Sequence, residues 1–367
     1  MPPVMRKHLN KAFPYPPGRP IEEVQRMFGL KDVVKLASNE NPLGPSPKAL
    51  AAIRKYAAES QLYPDGDAFY LRQAIAEKHG VKPEQIIFGA GSDDLNSFIM
   101  TTFAGTGKNI VVSQGSFIRY EQCAIVSGAS VKRVPFKKWS HDVPALLAAI
   151  DSKTAALCVA NPENPVGTML GKRQVNQLVK QTPDETLLLL DEAYYEFAVS
   201  NPDYPDSMQY LKKSKNVMVT RTFSKAYGLA GLRIGYGIST PEIVEALNRT
   251  RPPFNVTRLG QQAALAALQD QEHVRKTVEL TNEGKAYYEQ QFERLNLPYI
   301  KSYANFIAVN VGDGKAVFDA LLPKGVIVRP LGGYGMNAWI RISIGLPREN
   351  KKCIAALEAV LRQTHHD

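Results

Sequence analysis

Lys225 is the residue most able to do covalent chemistry, because of its company: Ser224 precedes it and Arg233 follows eight residues later, in Thr222-Phe223-Ser224-Lys225-Ala226-Tyr227-Gly228-Leu229-Ala230-Gly231-Leu232-Arg233. An amine can condense with a carbonyl, and a hydroxyl with a guanidinium can hold an anion beside it. A lone Ser-Lys pair would mean little, since most lysines are solvated surface charges. Asp191-Glu192-Ala193-Tyr194 closes an apolar run, where a single aspartate often only caps a turn. Gly89-Ala90-Gly91-Ser92-Asp93-Asp94 precedes a helical pattern over 95–103, the setting for anion binding at a helix N-terminus. It lacks the third glycine of a dinucleotide fingerprint. Gly105-Thr106-Gly107-Lys108-Asn109 fails the P-loop pattern at its first glycine and its final hydroxyl residue, which argues against nucleotide binding. Arg341, in Trp339-Ile340-Arg341-Ile342-Ser343-Ile344-Gly345, interrupts an apolar strand and there needs an anionic partner, internal or bound.

These residues need a scaffold that brings them together. Short apolar β-type runs at 85–88, 109–113, 156–160, 186–190, 217–220 and 232–237 alternate with helical patterns. Their apolar continuity predicts strands covered on both faces, hence an α/β fold with a mostly parallel sheet. Such sheets bind ligands at the carboxyl ends of their strands, and the polar residues above follow those ends. Ser46-Pro47 predicts a helix start, with Leu50, Ile53 and Ala57 on one face. From Arg251-Pro252-Pro253 the pattern changes to long helices over 260–295, then to strands near 306–310, 326–328 and 340–344. We expect a large domain over 41–255 and a smaller one formed by an N-terminal arm, 1–40, with 256–367.

At 367 residues, with 44% apolar and 22% charged, the chain can bury a sizeable core and is neither disordered nor fibrous in composition. No run of about 18 apolar residues suggests a membrane span, and the N-terminus has no secretory h-region. Cys123, Cys158 and Cys353 lie far apart, without disulfide-framework or metal-ligand spacing, which fits a reducing cytoplasm. The net charge of +10 is dispersed in short pieces such as Lys137-Lys138 and Lys351-Lys352, so a solvated surface is expected rather than a nucleic-acid site. The charge could still help collect anionic substrates.

The Lys225 segment resembles the lysine motif of fold-type-I pyridoxal-phosphate-dependent aminotransferases. The resemblance makes Lys225 the Schiff-base lysine, with Thr222, Ser224 and Arg233 around the phosphate of pyridoxal 5'-phosphate and Gly91, Ser92 and Asp93 as its cradle. Asp191 would hold the pyridine nitrogen protonated, because an opposite charge at short range stabilises the cation. Tyr194, and Asn164 of Asn161-Pro162-Glu163-Asn164-Pro165-Val166-Gly167-Thr168, would hydrogen-bond the phenolic oxygen. Where the family usually has Pro-Thr-Tyr or Pro-Thr-Phe, this chain has Gly115-Ser116-Phe117, which makes Phe117 the residue stacked on the ring. Tyr63, in Tyr63-Pro64-Asp65-Gly66, would reach the phosphate in a neighbouring subunit, which implies a homodimer with shared sites.

Three further segments narrow the resemblance to the histidinol-phosphate aminotransferase family: Tyr15-Pro16-Pro17-Gly18-Arg19-Pro20-Ile21-Glu22-Glu23-Val24, Leu36-Ala37-Ser38-Asn39-Glu40-Asn41-Pro42-Leu43-Gly44 and Gly325-Val326-Ile327-Val328-Arg329-Pro330. The implied reaction exchanges an amino group between L-histidinol phosphate and 2-oxoglutarate, in histidine biosynthesis. Arg341 would then meet a substrate α-carboxylate, and Arg329 with Tyr15 the substrate phosphate. An aromatic amino-acid aminotransferase on the same scaffold is the alternative. A transcription regulator would need a fused DNA-binding segment, and a catalytically silent binding protein is disfavoured by the intact Lys225, Asp191 and Arg341.

Overall fold

Residues 3–14 and 18–364 are described by a computed structural model. A seven-stranded sheet runs in the order Ile86–Gly89, Gly235–Ile238, Val217–Thr222, Leu187–Asp191, Thr154–Ala160, Asn109–Ser113, Ser130–Val134. Only Gly235–Ile238 is antiparallel to its neighbours. Every residue of Leu187–Asp191 and Thr154–Ala160 is buried, as continuous apolar runs covered on both faces require. The Ser130–Val134 strand was not expected from sequence. It is an edge strand with Lys132 and Arg133 in its middle, a composition that reads as polar loop but discourages pairing with another edge.

Gly235 and Gly237 let the Ser92–Phe103 helix and the Val217–Thr222 strand approach closely. A Cβ on Gly235 would lie 2.6 Å from Ser92 N, and one on Gly237 would lie 2.3 Å from the Met218 terminal methyl. The Pro47–Tyr56 helix starts as the sequence predicts, with the Ser46 hydroxyl accepting from Ala49 N at 3.2 Å.

A second, antiparallel sheet runs Arg329–Pro330, Trp339–Ser343, Phe306–Asn310, Tyr299–Ile300. The N-terminal segment packs with it: Val34–Lys35 forms a separate two-stranded parallel ladder with Val326–Ile327, and Val24, Leu36 and Ala37 enter the same apolar core as Ile307 and Ile342. The change in sequence pattern near 251–253 does not coincide with a change in packing. Val256, Ala263, Ala264 and Ala267 lie in the core of the large sheet. The long Gln271–Arg294 helix bridges the two, with Val274 in the first core and Tyr288 and Phe292 in the second. Among the described residues no helix is long and apolar enough to cross a membrane, and all three cysteines are buried thiols.

Candidate active site

The parallel strands Asn109–Ser113 and Thr154–Ala160 are neighbours at the point where the order of strand addition reverses, the place where open α/β sheets form a crevice at their carboxyl edge. A cavity of ≈ 220 Å³ lies there. Its walls include Gly91, Ser92, Asp93, Phe117, Asn164, Asp191, Tyr194, Thr222, Ser224, Lys225 and Arg233 from the large sheet, and Arg329 and Arg341 from the second.

Lys225 follows the Val217–Thr222 strand, and its Nζ donates to Ser38 O at 3.2 Å. Burial, with the nearby Arg341 and Arg233 guanidinium groups, lowers its pKa to about 8. An amine in this state becomes a usable nucleophile near neutrality. Asp191 ends the neighbouring strand. Its carboxylate accepts from the Tyr120 hydroxyl at 2.7 Å and from Ala193 N at 3.2 Å. Burial still raises its pKa to about 6, so a cationic ligand atom beside it would be favoured.

The corner at Gly91 is shaped by backbone conformation. Gly91, at φ +84°, precedes the Ser92–Phe103 helix, and a Cβ there would come within 2.5 Å of Arg233 Nη2. Arg233 is itself left-handed, at φ 53°, and its Nη1 lies 3.4 Å from Ser224 Oγ. Ser224 N donates to Thr222 Oγ1 at 3.1 Å. The Asp93 carboxylate turns to Arg119 at 2.7 Å.

The Gly115-Ser116-Phe117 departure has a structural reason. Gly115 is at φ +81°, where a Cβ would meet Tyr334 O at 2.6 Å. The Ser116 hydroxyl donates to the fully buried Glu163 at 2.8 Å, and His141 Nε2 meets the same carboxylate at 2.7 Å. These contacts tie the loop of Phe117 to the loop of Asn164. Phe117 also packs edge-on to Tyr120, with centroids 5.5 Å apart.

Arg341 Nη1 donates to Asn164 Oδ1 and its Nη2 to Ala37 O at 2.9 Å, while Nε has no hydrogen-bond partner among the described residues. Because arginine only donates, Asn164 must use its oxygen here and keep its amide N–H groups for the cavity. Arg329 stands directly opposite Arg341 in the antiparallel pair. Both side chains line the cavity, so two guanidinium groups can serve one anionic ligand.

Tyr63 lies outside the cavity, 80% exposed and stacked on Phe254 at 4.9 Å. Tyr15 falls outside the described residues. Sequence reasoning assigned no role to Tyr120, Ser38, Asn39 or Tyr334, which all line the cavity. Tyr120 had one signal, its place one helical turn after Phe117.

The profile of the class I and II aminotransferases matches residues 31–357. The chain belongs to that family. It is 48% identical over 358 residues to a histidinol-phosphate aminotransferase of Akkermansia muciniphila, covering 97% of this chain and 98% of that one. It is 46% identical to a histidinol-phosphate aminotransferase of Moorella thermoacetica, over 98% of this chain and 93% of the other. The crystal structure of histidinol-phosphate aminotransferase from Sinorhizobium meliloti in complex with pyridoxal-5'-phosphate superposes with a TM-score of 0.91 at 32% identity, covering 98% of each chain.

Proposed function

We propose that this chain transfers the amino group of L-histidinol phosphate to 2-oxoglutarate with pyridoxal 5'-phosphate as cofactor, giving imidazole-acetol phosphate and glutamate in histidine biosynthesis. The observation that carries the choice of substrate is Arg329 in register with Arg341 at the cavity wall. Two guanidinium groups on one cavity wall suit a doubly charged phosphate or a dicarboxylate, the anionic ends of the two amino-group partners.

The residues present fit the cofactor. The cradle at Gly91, which a Cβ would fill, lies beside Arg233 and Ser224 and suits a phosphate. Phe117 offers a face to the ring, Asp191 a carboxylate to its nitrogen, and Tyr194 and Asn164 hydrogen bonds to its phenolic oxygen. When bound, the protonated pyridine ring supplies an electron sink. Lys225 would anchor it and, once freed, move the proton between the substrate carbon and the cofactor's C4′, acting as base and then as acid. Arg341 orients a carboxylate-bearing substrate, and Arg329 with Tyr15 receives the phosphate of the amino donor.

Tyr63 completes the site of a second copy in a homodimer. Support comes from the uncovered aromatic surface around it, where Tyr63, Phe69, Tyr70 and Phe254 are 80%, 54%, 70% and 47% exposed. We place the enzyme in the cytoplasm, where its three buried thiols stay reduced. By packing, the large domain extends past 255 into the start of the long helix.

Steady-state kinetics with 2-oxoglutarate as common acceptor tests the reading. Histidinol phosphate should give the highest kcat/KM. Equal or better efficiency with phenylalanine or tyrosine would overturn it in favour of the aromatic enzyme.

A further inference from the structure

The segment 36–44 touches three of the residues that line the cavity. Ala37 O accepts from Arg341, Ser38 O accepts from Lys225, and Asn39 Nδ2 lies 2.9 Å from the Tyr194 hydroxyl. Asn39 is 2% exposed and left-handed, at φ 54°, a conformation asparagine tolerates better than most residues.

Its amide orientation follows from the bonds around it. Ser343 Oγ accepts from Asn39 N at 2.8 Å, so its hydrogen is available for Asn39 Oδ1 at 3.0 Å. The amide oxygen is thereby assigned, and the other amide atom is the nitrogen, which only donates. Tyr194 Oη must therefore be the acceptor in that contact. Among the described residues no acceptor is offered to the Tyr194 hydrogen, which leaves it for a ligand in the cavity. Asn305 Nδ2 donates to Asn39 O at 3.0 Å and completes the clamp.

We propose that Asn39 is a positioning residue that, by donating to Tyr194 Oη, turns the tyrosine's own proton toward the cofactor's phenolic oxygen and ties it to the sheet that carries Arg341. This rests on the pyridoxal-phosphate reading above. A hydroxyl that accepts a hydrogen bond also becomes the stronger donor. The phenolic oxygen is then better compensated, and its negative charge holds the proton on the Lys225–cofactor linkage less tightly. Losing Asn39 should shift that proton's release to higher pH.

The test uses cofactor-loaded enzyme and a pH titration of the bound cofactor's absorbance band. Asn39→Ala should raise the midpoint by about half to one pH unit and weaken pyridoxal-phosphate binding severalfold in fluorescence titration. In a Tyr194→Phe background the same substitution should leave the midpoint where Tyr194→Phe alone puts it. Should Asn39→Ala fail to fold, Ser343→Ala, which frees the amide to turn over, should shift the midpoint in the same direction by less. A midpoint unmoved while the apoprotein's Tm falls, or an equal shift in both backgrounds, would overturn the proposal. If wild-type protein shows no cofactor band at all, the pyridoxal-phosphate reading fails instead.

Discussion

Arg221 and Arg341 are both buried in β-strands, at 2% and 6% exposure, yet their surroundings differ. Arg221 projects from the Val217–Thr222 strand and has an internal counter-ion. Its Nε and Nη2 donate to Glu192 at 2.9 and 2.8 Å, the guanidinium stacks on Tyr195 at 3.4 Å, and Ser207 donates to the same carboxylate. Arg341 has an amide oxygen, a carbonyl and a bare Nε. Among the described residues no carboxylate forms an ion pair with it. Burial of an arginine is therefore no sign of function by itself; what distinguishes the two is that the fold supplies a carboxylate to Arg221 and, among the described residues, none to Arg341. The large sheet shows the same contrast: Glu192 and Arg221 neutralise each other, while Lys225 and Asp191 line the cavity with perturbed pKa values.

The first way to break that comparison is to remove a charge from the site. Lys225→Ala should abolish turnover while still binding pyridoxal phosphate, and borohydride reduction of the wild type should mark the Lys225 peptide. Lys225 has a folded-state pKa lowered to about 8 from 10.5, so its buried charge costs stability below pH 8. The apoprotein of Lys225→Ala should be no less stable at pH 7, and any gain should fade as pH rises from 8 to 10.5. A different labelled lysine, or a marked loss of Tm, would contradict the assignment.

Removing a charge from the closed pair should do the opposite. Glu192→Ala strands Arg221 and should cost about 3–5 kcal/mol in denaturant unfolding, with kcat per folded molecule largely kept. Asp191→Asn should preserve the fold and lower kcat by well over ~10²-fold. Unchanged kcat with only a lower Tm would return Asp191 to the role of a turn cap. A smaller effect concerns pH. The rate at which apoprotein captures pyridoxal phosphate should rise about tenfold per pH unit below the Lys225 pKa and level off above about pH 8. A rise continuing to pH 10 would mean the lysine is not depressed.

Much of this was legible in the sequence because it is local. The strands at 109–113 and 306–310 are continuous apolar runs, and Lys225, Asp191, Asn164 and Arg233 sit in short motifs at strand ends. What was missed depends on distant contacts. Asn39 meets Tyr194 across 155 residues and Ser343 across 304, and no window around Asn39 contains either. Tyr120 received no role because its partner, Asp191, is 71 residues away. The Ser130–Val134 strand was invisible because an edge strand needs only one buried face and carries its charges outward. The packing division within the long helix escaped notice because composition changes at a Pro-Pro pair whereas packing changes farther along.

The central claim is that Arg341 and Arg329 bind substrate anions, with Arg329 meeting the phosphate of the amino donor. It is tested most directly by kcat/KM of Arg329→Ala for histidinol phosphate and for phenylalanine, measured side by side with 2-oxoglutarate. A hydrogen bond to a charged group contributes roughly 1.5–3 kcal/mol, so the phosphorylated donor should lose about 10- to 150-fold or more while phenylalanine loses much less. Equal losses for the two donors would contradict phosphate recognition and class Arg329 with Arg221.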